Sequence, residues 1–166
     1  MCVNLEKSGE IMKVVNDFAE KLGSKFSLAE NRIINKNGRV FLVNKKLYEY
    51  SKKNFFYAGL FLGNIKKGKI VPSLYLLSLL SKNKANKVIV DNKAAWLVIY
   101  GKDIFRKGIL RVEGLLKKGD IALILNSYGD CLGLGKIVID LDKKSKENEV
   151  IVKNLFDIGD FLRREK

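Results

Sequence analysis

Between residues 101 and 135 glycine recurs seven times, separating short apolar runs from one another. The seven are Gly101, Gly108, Gly114, Gly119, Gly129, Gly133 and Gly135. Glycine at such intervals ends strands or lets them bend, so this stretch reads as many short strands. The candidates are Lys87–Val90, Ile109–Glu113, Ile121–Leu125, Leu132–Ile139 and Val150–Val152. Short strands at even spacing predict a small barrel or sandwich. Trp96–Tyr100 fits either a helix or a strand. Asp142–Glu149 reads as a mixed-charge turn, and Asp157–Arg164 closes the chain with one apolar edge and two arginines.

The preceding half mixes periods. Ile11, Val15, Phe18 and Leu22 form one stripe at helical spacing, which predicts a helix over Ser8–Leu22, capped by Ser8 and stopped at Gly23. Asn37-Gly38 lies between β-prone runs at 32–34 and 39–43 and predicts a hairpin, because both residues tolerate positive φ. Lys45–Ser51 reads as a short helix and Phe55–Leu62 as a buried strand. A second apolar helix is expected to begin at Pro72, in the first helical position, and to run through Leu80. Ser81–Asn86 is polar and aperiodic and reads as a short linker. The expected division is therefore 1–85 and 86–166, with no internal repeat.

Composition narrows the chemistry. Of 166 residues, 47% are apolar, enough for a real core. There is no His, so neither a Ser-His-Asp triad nor a Cys-His pair can form, and zinc sites built on imidazole are excluded. No side chain titrates near neutrality in its unperturbed state, which removes the easy general base. Cys2 and Cys131 are far apart, with no CxxC pair, and read as reduced thiols in a cytosolic compartment. The first residues, MCVNLEKSGE, lack the apolar core of a signal peptide, and no eighteen-residue apolar window exists. No cofactor or metal is expected.

The charge is the positive clue. Lys and Arg number 32 against 18 Asp and Glu, a net +14. Such a balance on a folded chain suits a polyanion or an anionic membrane surface, although a lysine-rich coat for solubility gives the same sum. Residues 1–86 carry +10 of it and residues 87–166 only +4.

Two apparent nucleotide motifs fail on inspection. Gly63–Ile70 fits G-x-x-x-x-G-K but ends in Ile where Ser or Thr must hold magnesium, and Val71-Pro72 delays the helix that should follow at once. It reads as a basic turn. Gly133-Leu134-Gly135 lacks the third glycine of a dinucleotide loop and reads as a bend or bulge in a strand. Asp103 and Asp120 read as turn formers, and Cys131 as a thiol in the core or at a strand edge. The segment Tyr100–Arg111 differs, because it interleaves cations with aromatics and glycines. Lys102, Arg106, Lys107 and Arg111 would neutralise phosphates while a planar group stacks on an unpaired base. The competing reading is a solvated turn with Phe105 in the core.

At this segment the sequence resembles a known module. Tyr100-Gly101, Gly108 and Arg111 look like the glycine loop of a PUA domain, the RNA-binding module named after pseudouridine synthases and archaeosine transglycosylases. Lys118–Ala122 and Leu132–Gly135 resemble its later strands. The closing run Asp157–Glu165, with Gly59–Gly63 and the helix Ser73–Ser81, is similar to the Nip-seven family of large ribosomal subunit biogenesis factors. Asp91-Asn92 departs from that family's Lys-Pro, and Trp96–Ile99 is more apolar than its pattern.

The resemblance implies an α+β protein, with an N-terminal antiparallel-sheet domain followed by a PUA pseudo-barrel. It implies a non-catalytic factor that binds single-stranded or irregular precursor rRNA, rich in uridine or adenine, and contacts other assembly or RNA-processing factors. Such a factor is cytoplasmic, or nucleolar in a eukaryotic source, and needs no membrane. The RNA-binding candidates are Lys102, Arg106, Lys107 and Arg111, joined by Arg163 and Arg164. The alternatives are an RNA-modification accessory protein or enzyme carrying a PUA domain, and a protein-binding assembly adaptor.

Overall fold

The computed structural model describes residues 8–26, 33–50, 57–140 and 146–164. Helix α1 (Ser8–Lys21) opens the chain. It is followed by strands β1 (Ile33–Lys36) and β2 (Arg39–Leu42), the short helix α2 (Lys45–Glu49), strands β3 (Leu60–Lys66) and β4 (Lys69–Pro72), and helix α3 (Leu74–Ser81). These four strands form an antiparallel sheet in the order β1-β2-β3-β4. The second half contains β5 (Lys87–Val90), α4 (Asn92–Ile99), β6 (Ile104–Phe105), a 3₁₀ turn at Arg106–Gly108, and β7 (Ile109–Glu113). Strands β8 (Ile121–Leu125), β9 (Cys131–Ile137) and β10 (Val150–Asp157) follow, and α5 (Gly159–Arg164) ends it. The six strands form a curled half-barrel in the order β6-β10-β9-β8-β5-β7, antiparallel except where β5 lies parallel to β8. The protein is thus mixed α+β, with an antiparallel sheet and a PUA-type pseudo-barrel. No helix among the described residues is long and apolar enough to cross a membrane.

Local chemistry explains most of these elements. The stripe of α1 is buried at Ile11, Val15, Ala19 and Leu22. The β1–β2 hairpin turns at Asn37 (φ 54°) and Gly38 (φ 80°), two successive left-handed residues that match the twist of the flanking strands. The Asn44 side chain accepts from the Leu47 amide at 2.9 Å and so caps α2.

Several expectations are corrected. Pro72 does not begin a helix. It ends β4, an edge strand where a missing N–H leaves no ladder bond unmade. Ser73 caps α3 instead, accepting from the Leu76 amide at 3.2 Å and donating to the Phe61 carbonyl at 2.6 Å. The strand expected over Phe55–Leu62 is β3, starting at Leu60 and running on to Lys66, because its pairing with β4 continues to Lys66–Lys69. Residues 55 and 56 lie outside the described residues. The basic run at 63–70 is this β3–β4 hairpin, with no helix behind Lys69 to bind phosphate.

Trp96–Tyr100 belongs to a helix and its C-terminal cap. Asp91 settles the choice by accepting from the Ala94 amide at 2.7 Å. The strand expected at Val150–Val152 extends to Asp157, bulging between Asn154 and Phe156. A polar Lys153-Asn154 pair and the bulge break the alternation that would mark it. On the opposite strand, a Cβ at Gly133 would collide with the Phe156 carbonyl oxygen, so glycine there permits the close strand approach.

One core runs across both halves. It joins Val15 of α1, Leu22 just after it, and Leu76, Leu77 and Leu80 of α3 to Ile89, Leu123, Leu125 and Leu134 of the half-barrel. The alternate residues Val88, Val90, Ala122, Ile124 and Leu132 point the other way and fill the barrel with Ala94, Val98, Ile137 and Ile151. Val88–Val90 of β5 and all of β8 are apolar because both faces of these strands are buried. The segment after α3 is pinned as well: the Asn86 amide donates to the Leu22 carbonyl at 2.6 Å, and the Asn86 carbonyl accepts from the Leu123 amide at 2.9 Å. Leu123→Ala, at a fully buried position, is expected to cost about 2–5 kcal/mol. Urea denaturation followed by Trp96 fluorescence and by far-UV circular dichroism should shift together, in one transition.

Candidate nucleic-acid interface

The glycine-rich segment is not a free loop. Lys102 and Asp103 lead into β6, the 3₁₀ turn and then β7. The turn is held from behind: the Arg106 amide donates to the Glu149 carbonyl at 2.9 Å, the Lys107 amide to the Glu147 carbonyl at 3.1 Å, and Lys107 Nζ to Asn148 Oδ1 at 3.0 Å. On its other side the turn meets α4. A Cβ at Gly108 would lie 2.7 Å from the Ala94 Cβ, so the absent side chain sets how closely turn and helix approach.

Between α4 and this segment lies a groove of about 230 Å³. Its floor is apolar, from Ala94, Leu97, Ile104 and Phe105, and its rim carries Asp91, Lys93, Asp103 and Lys107. The two carboxylates are already engaged. Asp91 caps α4, and Asp103 Oδ1 accepts from the Asn154 amide at 2.9 Å. Phe105 is 37% exposed and part of the groove wall, so it is not the core residue that a plain solvated turn would require. An apolar floor suits a flat base, and Lys93 and Lys107 on the rim offer cations for phosphates beside the two carboxylates.

The five candidate cations whose side chains are described are not brought into one patch. Lys107 lines the groove, while Lys102 and Arg106 flank β6, the former exposed and the latter half-buried. Arg111 sits on β7, outside the groove lining, and pairs with Glu113 at 3.1 Å, a carboxylate shared with Lys87 at 3.3 Å. Arg163 serves the fold. Its guanidinium bonds Asp157 Oδ2 at 2.7 Å and the Ile99 carbonyl, and it lies against Gly101. The bond to Asp157 raises the Arg163 pKa above its ordinary value, with the charges of Asp157 and Asp160 adding to it. Asp157 is 2% exposed and also accepts from Asn154 Nδ2 at 3.1 Å. This cluster clamps α5 to the end of α4. The Arg164 side chain lies outside the described residues. Lys93 is the groove residue that the sequence reading missed. Its signal was its place two positions after Asp91, a good helix N-cap, which sets it in the first turn of α4.

Among the described residues no group of three or more Cys, Asp and Glu could hold a metal. Burial pushes the Cys131 thiol up to about 11, outweighing the opposing effect of its contact with the Gly133 carbonyl. Cys131 is therefore an un-ionised thiol at neutral pH. Site-resolved mass spectrometry should find Cys131 slow to alkylate with iodoacetamide at pH 8 in the folded protein and fast in urea. Arg163→Ala should lower the melting temperature, because it strips the buried Asp157 carboxylate of its cation. Arg111→Ala, at an exposed pair, should leave it nearly unchanged.

Known proteins share this architecture. Residues 86–166 match the family model described as the UPF0113 PUA domain, and residues 17–80 match that of the RsmF rRNA methyltransferase first C-terminal domain. A UPF0113 protein from Archaeoglobus fulgidus is 30% identical, over 93% of this chain and 91% of its own. A conserved PUA domain protein from Thermoplasma acidophilum superimposes with a TM-score of 0.59 at 18% identity, covering 99% of this chain and 97% of that one. A hypothetical protein from Pyrococcus horikoshii OT3 does so at 0.58 and 18%, covering 95% and 93%. A PUA domain from Aeropyrum pernix K1, solved with tartrate, reaches 0.50 at 25%, covering 57% and 55%. These findings overturn the resemblance to the Nip-seven factors, since the full-length similarity is to a UPF0113 protein. The chain belongs to the UPF0113 family, and its residues 86–166 form a PUA domain, an RNA-binding fold.

Proposed function

We propose that this protein is a non-catalytic RNA-binding accessory of RNA modification, acting in the cytoplasm on single-stranded or irregular RNA. The observation that carries this reading is the α4–β6 groove: an apolar floor with Lys93 and Lys107 on a rim shared with Asp91 and Asp103, inside a PUA domain. Lys93, Lys102, Arg106 and Lys107 are the phosphate contacts, and Phe105 and Leu97 support a base. Arg111 and Arg163, already paired with carboxylates, contribute less. The strongly basic residues 1–85 steer the protein toward RNA and contact the modifying or processing factor. No bound cofactor is needed.

Ribosomal RNA is the favoured substrate, because residues 17–80 resemble a domain of an rRNA methyltransferase. The same match leaves room for a second reading, an adaptor acting on precursor rRNA during large-subunit assembly. Both readings require RNA binding and differ in the company the protein keeps.

Fluorescent single-stranded RNA titrated at several salt concentrations tests the groove. The logarithm of affinity should fall with the logarithm of salt by about 0.7 per phosphate neutralised. Lys93→Ala/Lys107→Ala should weaken binding and flatten that slope, while Arg111→Ala should do neither. An unchanged slope in the double variant would remove the groove from the site. Crosslinking in cells with sequencing of the bound RNA should give reads on ribosomal RNA, and reads confined to tRNA would redirect the substrate. Transcript RNA modified by the purified chain alone would make it an enzyme.

A further inference from the structure

The outer face of α4 carries two large aromatic rings that the fold does not use. Trp96 is 63% exposed and Tyr100 67%. The helix packs onto the barrel through Ala94, Ala95 and Val98, on the opposite side. The ring contacts described all lie in the first half, among Phe41, Tyr57 and Phe61. A helix that merely covered the barrel would be served as well by lysine or glutamate at 96 and 100. In a chain with 30% charged residues, two aromatics at these positions stand out.

Helical geometry places the rings beside the groove. At 3.6 residues per turn the exposed arc of α4 runs Asn92, Trp96, Tyr100, Lys93, Leu97. Lys93 and Leu97 also line the groove, so the aromatic face and the groove share an edge. Trp96 and Tyr100 are one turn apart, about 6 Å along the helix axis. Lys93 stands within this arc, and Lys102 follows just past Tyr100. At the other end, Ser127 Oγ donates to Asn92 Oδ1 at 3.2 Å, fastening α4 to the β8–β9 turn.

We infer that Trp96 and Tyr100 are a base-stacking platform, on which bases of a single RNA strand continue after leaving the α4–β6 groove. This rests on the RNA-binding reading above. The neighbouring cations suit the phosphates of the same strand, and flat rings accept any base. A protein partner is the alternative occupant, but Lys93 and Lys102 beside the rings match the phosphates of a nucleic-acid strand more directly.

Trp96 is the only tryptophan of the chain, so its fluorescence reports this face directly. Oligouridine and oligoadenine should quench it on titration. An oligonucleotide of equal length with abasic sites should bind more weakly and quench little. Trp96→Ala should lose roughly 5- to 150-fold in affinity and no longer distinguish abasic from intact RNA. Its salt slope should stay that of the wild type, because stacking releases no counterions. Trp96→Phe should recover part of the affinity, and Tyr100→Ala should behave like Trp96→Ala with reduced quenching.

Wild-type affinity in Trp96→Ala, with Trp96 unquenched by bound RNA, would overturn the platform and leave the RNA-binding reading standing. It would assign this face to a protein partner. A wild-type protein that binds no RNA would overturn both.

Discussion

Strands β5 and β8 are the wall on which the rest of the molecule leans. Their residues alternate between two cores, Val88, Val90 and Ile124 facing into the barrel, Ile89, Leu123 and Leu125 facing α1 and α3. Because each strand is buried on both faces, the barrel core is built within residues 88–152, whereas the core around α1 and α3 is completed by β5 and β8. The Asn86 backbone bonds to Leu22 and Leu123 tie the crossing point to both sides. The groove inherits its rigidity from this wall, since α4 follows directly from β5 and the 3₁₀ turn feeds directly into β7.

Most of the positive charge and the PUA fold lie in different halves of the chain. The more basic half carries +10 but not the RNA-binding fold, and the PUA half carries only +4. Within the PUA half many charges are tied down. Asp157 holds Arg163, Glu113 holds Arg111 and Lys87, and Asp91 caps a helix. The cations of the groove rim are thereby distinguished by their surroundings rather than by their number. The clamp around Asp157 also orders the end of α4, because the Arg163 guanidinium rests on Gly101 and bonds the Ile99 carbonyl.

Much of the architecture was legible because local signals agreed with tertiary demands. The Ile11–Leu22 stripe, the Asn37-Gly38 turn and the short strands all carry periodicities or dihedral preferences that survive packing. The misses have physical causes. Pro72 suits a helix start and an edge strand equally, and only the hydroxyl of Ser73 decides between them. The length of β10 was hidden by Lys153, Asn154 and a bulge, which erase the alternation of a strand. The site was half legible. Lys107 and Phe105 stood out as a cation and an aromatic among glycines, but which arginines are consumed by carboxylates depends on contacts far apart in sequence. Arg163 meets Ile99 across 64 positions, and no spacing rule reveals that.

The contact between Gly108 and Ala94 bears on how such a site can diversify. The width of the groove is fixed by an absence, the side chain that position 108 does not have. A methyl group gained at 108, or a larger residue at 94, would lever the 3₁₀ turn away from α4 and reshape the floor while every lysine stayed in place. Two chains with the same rim residues can therefore differ in the shape of this groove. Its floor has a route to change through packing volume alone, with no change in any charged residue of the rim.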